Sequence, residues 1–483
     1  MPLLRRISRR WAALPLVLVL SAATMTAPGD RAGPPGPTTR PVTLSVGATL
    51  QGFDVAASAS GTAYVGWISG PVNAKGGKVG VHLCTVKAGT TSCAGGVQVT
   101  DAIDDNTASS LRVLVQKSGT VDLVWSYGNG ASASIGFTTA SAAGVLQPAT
   151  DIGSAPSNGV LLDAAIAPDG SVWTVAGTTY TNGLQVRSGA GHTAVNIATP
   201  YPVDPAELAF TGSTAVIATQ WAGYITKPAG YTVESRGSWS SVHNVPSTWT
   251  AGARVGLADT RSGLRLIASE PDADYLPVLS SWTGSAFSKP VLLGQQSGCA
   301  PSSHDLTTDA SGRLADISSE CEVIAVTNLP DTRHASVVRF AAGGTLNSGA
   351  PRVATIPRGY ALAIWSIEAG ASSDRLLMVP VLLPDVDQTV TSKTAAGSVS
   401  VTGPVSCLPA DTVGAAVKGR PAAGWHVQSQ SLKLGAATIH STINGATLRA
   451  GTTYRLKGTV TFAKGSSRRS GSATVVFNAC PAP

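Results

Sequence analysis

Asp54, Arg112, Asp163 and Asp305 each stand seven residues before a glycine, at Gly61, Gly119, Gly170 and Gly312. Glu207 stands five residues before Gly212, and Arg254 nine before Gly263. All three offsets are odd. Side chains alternate along an extended chain, so these six ionisable groups fall on the same side of their strands. Carboxylates gathered around a common space can divide acid and base roles in cleaving a glycosidic bond; Asp54 with Asp163, or Glu207 with Asp305, would be the pairs. Without catalysis, the same acids and arginines can satisfy one another or hold a ligand. Tyr201, Trp249 and His304 fall in adjoining stretches, where their rings could stack on a sugar or cover strand ends.

Other chemistry leaves no trace. The sequence has no GxSxG elbow, HExxH pair, GxxxxGK[ST] loop or EF-hand loop. The acidic stretch Thr100 to Asn106 offers Asp101, Asp104 and Asp105 at a spacing that matches no calcium motif, and reads as a solvated loop. Six cysteines, none in a CxxC pair and none beside a histidine cluster, read as disulfides rather than zinc ligands. Their clustering pairs Cys84 with Cys93, Cys299 with Cys321 and Cys407 with Cys480. No metal and no cofactor is expected.

The elements that must carry these residues repeat. A unit of apolar strand, glycine turn and second apolar strand reads FDVAASASGTAYVGW at Phe53 to Trp67 and LRVLVQKSGTVDLVW at Leu111 to Trp125, then LDAAIAPDGSVWTVA at Leu162 to Ala176. Looser copies begin at Ala206, Ala253, His304 and Tyr360. Turn glycines at Gly61, Gly119, Gly170, Gly212, Gly263, Gly312 and Gly370 lie 58, 51, 42, 51, 49 and 58 residues apart. Each step holds four short strands, the pattern of propeller blades. The fold expected is all-β, a seven-bladed β-propeller over 41–390, with the strand-like Pro41 to Gly47 completing its last blade. The six ionisable residues would then face the channel mouth.

From 397 to 483 the unit is lost. Alternating strands bracketed by Cys407 and Cys480 give a small immunoglobulin- or fibronectin-like β-sandwich. Charge separates the two parts. Nine basic residues against the single acid Asp411 give this segment +8, among them Arg449, Arg455, Lys457, Lys464, Arg468 and Arg469. Four arginines near the start contribute +4, and with the whole chain at +7 the remainder carries −5. A basic module of this kind attracts a polyanion such as an anionic cell-wall polymer, or docks on the acidic propeller. No aromatic interleaving points to nucleic acid.

Residues 1–27 read as a signal peptide, with Arg5, Arg6, Arg9 and Arg10 before the apolar run Trp11 to Leu20 and small residues after it. The run fits Sec export, with a loose likeness to a twin-arginine signal at Ser8 to Leu14. Residues 28–40 form a Pro- and Gly-rich leader. No later run is long and apolar enough for a transmembrane helix. The chain is expected outside the cell or loosely held at the envelope, as a monomer.

The unit DVAASASGTAYVGW with its trailing VHLCTVKAGTTSC resembles bacterial secreted propellers of the broad sialidase-like, multi-bladed group, over 41–384. The resemblance implies the fold and not an activity. The chain departs from the sialidases themselves. Its nearest turn, Ala167 to Trp173, lacks the Asp-box spacing SxDxGxxW, and only Arg112 and Arg254 of an arginine triad face the inferred mouth. The leading expectation is a non-catalytic protein binding an extracellular carbohydrate or protein at the mouth; the alternative is a glycoside hydrolase or polysaccharide lyase using the mouth carboxylates.

Overall fold

The computed structural model describes residues 41–478 apart from 59–60, 71–78, 88–91, 102–107, 129–132, 179, 190–192, 223–226, 246–254, 261–262, 271–275, 293–300, 309–313, 321–322, 330–335, 347–349, 357–359, 371–372, 383–386, 405–411, 445–446 and 450–451. The leader segments 1–27 and 28–40, Asp104, Asp105, Trp249, Arg254, Cys299, Cys321, Cys407 and Cys480 lie outside the described residues.

Branched and aromatic residues alternate with small ones between glycine turns, and the described chain forms strands with no α-helix. The turns repeat in detail. At Ser58–Gly61, Gln116–Gly119 and Ala167–Gly170 the glycine N–H donates to the carbonyl three residues back, at 2.8 to 2.9 Å. Gly61, Gly119 and Gly170 have φ of 97°, 87° and 89°, a region closed to most L-residues, which is why the spacing of glycines exposes the repeat.

Two long strands each serve two sheets. The second half of Val42–Ala57 pairs with Ala63–Gly70, and Gly80–Val86 and Cys93–Asp101 follow outward. Its first half pairs instead with Ser373–Leu382, completing the sheet begun by Arg352–Ile356 and Tyr360–Gly370. Val195–Thr211 is shared in the same way, first with Asn182–Ser188 and then with Thr214–Trp221. Between these lie antiparallel sheets opening on Ser109–Val115, Val160–Ile166, Gly256–Thr260 and Pro301–Thr308.

The first strands of successive sheets neighbour one another in a closed cycle. The order runs Val42–Ala57, Ser109–Val115, Val160–Ile166, Val195–Thr211, Gly256–Thr260, Pro301–Thr308, Arg352–Ile356 and back to Val42–Ala57. Apolar clusters make the same circuit. Val65 and Trp67 pack with Leu362 and Leu376, Tyr64 and Leu83 with Leu111 and Leu123, and Ile317 and Val326 with Ala361 and Trp365. Each sheet is therefore covered on both faces, and Trp125 and Trp365 are fully buried. Sheets packed face to face in a ring around their first strands make a β-propeller, closed here by pairing its N-terminal strand into the last sheet.

Two features differ from the sequence reading. Tyr360–Gly370 is the second strand of its sheet rather than the first, which is Arg352–Ile356; Gly370 therefore ends the second strand instead of turning out of the first. The apolar run from Tyr360 is long enough to pass for an opening strand and masks the shorter one before it. Asp387–Thr394, whose first residues were read as propeller, pairs with Gly397–Pro404.

Gly397–Pro404 also pairs with Ala416–Pro421, and a second sheet runs in the order Ala437–Ile439, His426–Leu434, Thr453–Lys464, Ser467–Asn478. Val399 and Val401 of the first sheet pack on Leu456, Val460, Phe462 and Val475 of the second. Two sheets thus enclose one apolar core while their outer faces stay polar.

Candidate functional site

Each first strand carries one residue at an equivalent place, identified by its partner across the first hairpin: Asp54 opposite Gly66, Arg112 opposite Val124, Asp163 opposite Val175, Glu207 opposite Ala218, Gly256 opposite Ile267, Asp305 opposite Ile317 and Arg352 opposite Ile364. Parity on the sequence found five of these. Arg352 was missed because the last unit was read one strand late. The place nearest Arg254 is taken by Gly256. A signal for Arg352 was present: like Asp54, Arg112, Asp163 and Asp305 it stands seven residues before a glycine, Gly359.

These side chains tie neighbouring blades together. Val113 N–H donates to Asp54 Oδ2 at 2.7 Å, Leu208 N–H to Asp163 Oδ2 at 2.6 Å and Val353 N–H to Asp305 Oδ2 at 2.7 Å. In each case the carboxylate reaches the backbone of the next blade. The arginines close the remaining links. Arg112 Nε donates to Asp163 Oδ1 at 2.6 Å, and its Nη2 donates to the Leu162 carbonyl. Arg352 Nη1 donates to Asp305 Oδ1 at 3.1 Å, and its Nε lies 3.8 Å from Asp54 Oδ1. Asp54, Arg112, Asp163, Glu207 and Arg352 are all buried.

Glu207 and Gly256 break the pattern. Glu207 Oε1 is buried with no hydrogen-bond partner and lies 4.0 Å from Arg112 Nη2 and 3.8 Å from Arg352 Nη1. At Gly256 a side chain is excluded, since a Cβ there would stand 2.8 Å from Leu306 Cβ and 3.0 Å from its backbone nitrogen. The chain of links therefore runs from the blade of Asp305 through those of Arg352, Asp54, Arg112 and Asp163 to the backbone of the Glu207 blade, and stops there.

Burial sets the electrostatics. It pushes the Glu207 carboxyl up to about 8, helped by the negative charge of Asp163 and opposed by Arg112 and Arg352. Asp54 is raised to about 6, again chiefly by burial, against the pull of the same arginines. Burial alone would lower Arg352, but Asp305, Asp54, Glu207 and Asp163 together raise it, so it stays charged.

Of the remaining sequence candidates, the described His304 and Tyr201 are not part of this ring. His304 is buried, with Nδ1 3.0 Å from Asp316 Oδ2 in the adjacent strand. Tyr201 packs edge-on against Trp221 at 5.6 Å, under the ammonium of Lys227. A cavity among the described residues lies on the hairpin side of the ring. Its volume is about 510 Å³, and Val115, Ile166, Phe210, Leu257 and Leu306 line it with Lys117 and Asp259. Burial raises the Asp259 carboxyl. Among the described residues no group of histidines, cysteines and carboxylates could hold a metal ion.

Cys84 and Cys93 form a disulfide that ties the end of Gly80–Val86 to the start of Cys93–Asp101 in the same blade. On the sandwich, Arg449, Arg455, Lys457, Lys464, Arg468 and Arg469 do not converge on one point. Arg455 and Lys457 lie on the exposed face of Thr453–Lys464, while Lys464, Arg468 and Arg469 crowd the hairpin that follows.

No family model matches the chain. No curated protein matches it either. Among solved structures, the β-propeller domain of the Trilobed protease from Pyrococcus furiosus is 9% identical with a TM-score of 0.41, covering 70% of this chain and 96% of that one. The Cps50 (Swd1) β-propeller domain of Myceliophteria thermophila is 12% identical with a TM-score of 0.42, over 69% and 99%. The NanB sialidase from Streptococcus pneumoniae is 9% identical with a TM-score of 0.37, over 69% and 68%. Likeness at this level adds nothing to the sheet order, and the β-propeller assignment rests on the closed cycle of first strands.

Proposed function

We propose that this chain is an exported, non-catalytic binding protein: a seven-bladed propeller that takes an extracellular carbohydrate or protein ligand at its channel, and an immunoglobulin-like basic domain that associates with an anionic polymer of the envelope. Seven first strands in the cycle support the blade count, and the two-sheet core supports the second domain. The observation that carries the non-catalytic reading is the engagement of three of the four channel carboxylates, which leaves Glu207 without a free partner. Asp54, Asp163 and Asp305 each accept a backbone N–H of the next blade, and Asp163 and Asp305 also accept from an arginine. An acid and base pair for glycoside cleavage needs carboxyls free to exchange protons with a substrate. These are committed to holding blades.

The cavity beyond the ring is the place for a ligand, with an apolar lining and one cation and one anion, Lys117 and Asp259, to orient it. Export is read from residues 1–27. The test is a glycan and peptide array probed with the mature protein and with Lys117→Ala and Asp259→Ala. Specific signal that both variants weaken supports the reading. Signal unchanged by both removes the cavity as the site.

A further inference from the structure

The outer face of the four-stranded sandwich sheet holds an arrangement that sheet energetics disfavours. Lys433 and Lys457 stand directly opposite each other on neighbouring strands, and Lys457 in turn faces Thr474. Arg455, two residues before Lys457, shares that face, and all three cations are exposed. Adjacent strands lie about 4.8 Å apart and alternate residues roughly 7 Å apart along a strand, so the three charges make a compact triangle. Like charges directly opposite across a sheet destabilise it. Nothing nearby relieves the repulsion: none of the three forms an ion pair among the described residues, and the one acid between 397 and 483 is Asp411, outside them.

Apart from the exposed Val476 opposite Arg455, the neighbours of the triangle on this face are hydroxyls. Below the lysine row, Ser431 faces Thr459 and Thr459 faces Ser472; below that, Thr461 and Ser470 are bonded Oγ1 to Oγ at 3.0 Å. Leu456, Val460, Phe462 and Val475 alternate with these residues and point into the core, which fixes the register of the polar face.

Resting on the reading that the basic domain meets an anionic polymer, we infer that this face is the contact and that its partner is a linear phosphodiester polymer without bases. Two ammonium point charges and a guanidinium within one triangle match a tetrahedral phosphate, which offers oxygens in several directions, better than a planar carboxylate. Serine and threonine hydroxyls beside them donate to the same oxygens. The face offers no Phe, Tyr or Trp ring, so the bases of a nucleic acid would find no broad platform on which to stack.

Titration calorimetry of the full chain against poly(glycerol phosphate), polygalacturonate and an oligothymidylate of equal charge tests this, in wild type and in Lys433→Glu, Lys457→Glu and, on the other sheet, Lys418→Glu. The expected result is a poly(glycerol phosphate) affinity at least tenfold above that for polygalacturonate and within threefold of that for the oligothymidylate. Lys433→Glu and Lys457→Glu should each weaken it more than tenfold and lessen the slope of log affinity on log salt by at least about 0.7, with Lys418→Glu close to wild type. Polymer binding that is lost in Lys418→Glu and kept in Lys457→Glu overturns the face while leaving the anionic-polymer reading intact. Equal or better binding of polygalacturonate overturns the phosphodiester assignment, and a tenfold preference for the oligothymidylate makes the partner a nucleic acid. Absence of binding to all three polymers defeats the underlying reading itself. Circular dichroism shows that each variant is folded, and the neutral variant Lys457→Gln, expected to weaken binding less than Lys457→Glu, replaces any charge reversal that fails to fold.

Discussion

Replacing Glu207 with glutamine keeps the side chain's size and removes its ability to ionise. In the folded protein burial holds the carboxyl at about 8, against the ordinary 4.5. Between those values the folded state keeps a proton that the unfolded state has released. Stability therefore falls as pH rises through this window and levels off above about 8, the reverse of an ordinary salt-bridged carboxylate. A displaced ionisation contributes up to about 1.4 kcal/mol for each pH unit crossed. Asp54, raised to about 6 from 3.8, adds a slope of the same sign at lower pH, but it is present in both proteins and drops out of their difference. Urea unfolding of wild type and Glu207→Gln, followed by tryptophan fluorescence at pH 5, 6, 7, 8 and 9, measures that difference directly. The variant should gain on wild type by about 1 kcal/mol per unit from pH 5 to 8 and no further above. Parallel stability curves, or a variant that loses ground as pH rises, would refute the electrostatic description of the ring.

Asp163→Asn should behave oppositely, because it leaves Arg112 buried without its carboxylate; a loss of roughly 3–5 kcal/mol in denaturant unfolding is expected. Trp365→Ala removes a fully buried ring between two sheets and should cost about 3–5 kcal/mol, seen as a lower melting temperature in calorimetry. The double variant Cys84→Ala, Cys93→Ala releases a short loop within one blade, and loop-closure entropy puts the loss near 2–3 kcal/mol by thermal unfolding under oxidising conditions. Deleting residues 41–48 strips the outer strand from Ser373–Leu382 and should make the last sheet sensitive to limited proteolysis at protein concentrations where the full chain resists it.

The propeller was legible because one glycine turn recurs with positive φ and because each first strand pairs with an apolar second strand at a constant offset. The last unit resisted that reading. Its opening strand, Arg352–Ile356, is short, and although Gly359 stands seven residues after Arg352 as in the other units, Tyr360–Gly370 is long and apolar enough to draw the register onto Gly370. The N-terminal strand could be placed because closing a ring demands a partner for its last sheet. Within the ring, alternation put five residues on one side, but it could not say whether they meet solvent or one another. That depends on contacts between blades some fifty residues apart, such as Asp54 with the Val113 backbone, which no local pattern encodes. The cationic face of the sandwich was half legible. Arg455 and Lys457 stood out by charge, while Lys433 joins them only through the pairing of His426–Leu434 with Thr453–Lys464.

The central claim is that Asp54, Asp163 and Asp305 join blades and so leave Glu207 with no second free carboxylate to complete an acid and base pair. Its most direct test incubates the mature protein, and Glu207→Gln beside it, with a panel of acidic and neutral polysaccharides, measuring reducing ends and unsaturated uronate absorbance over many hours. The account predicts no product from either protein above the buffer blank, with array binding retained. Product formed by the wild type and abolished in Glu207→Gln would contradict it.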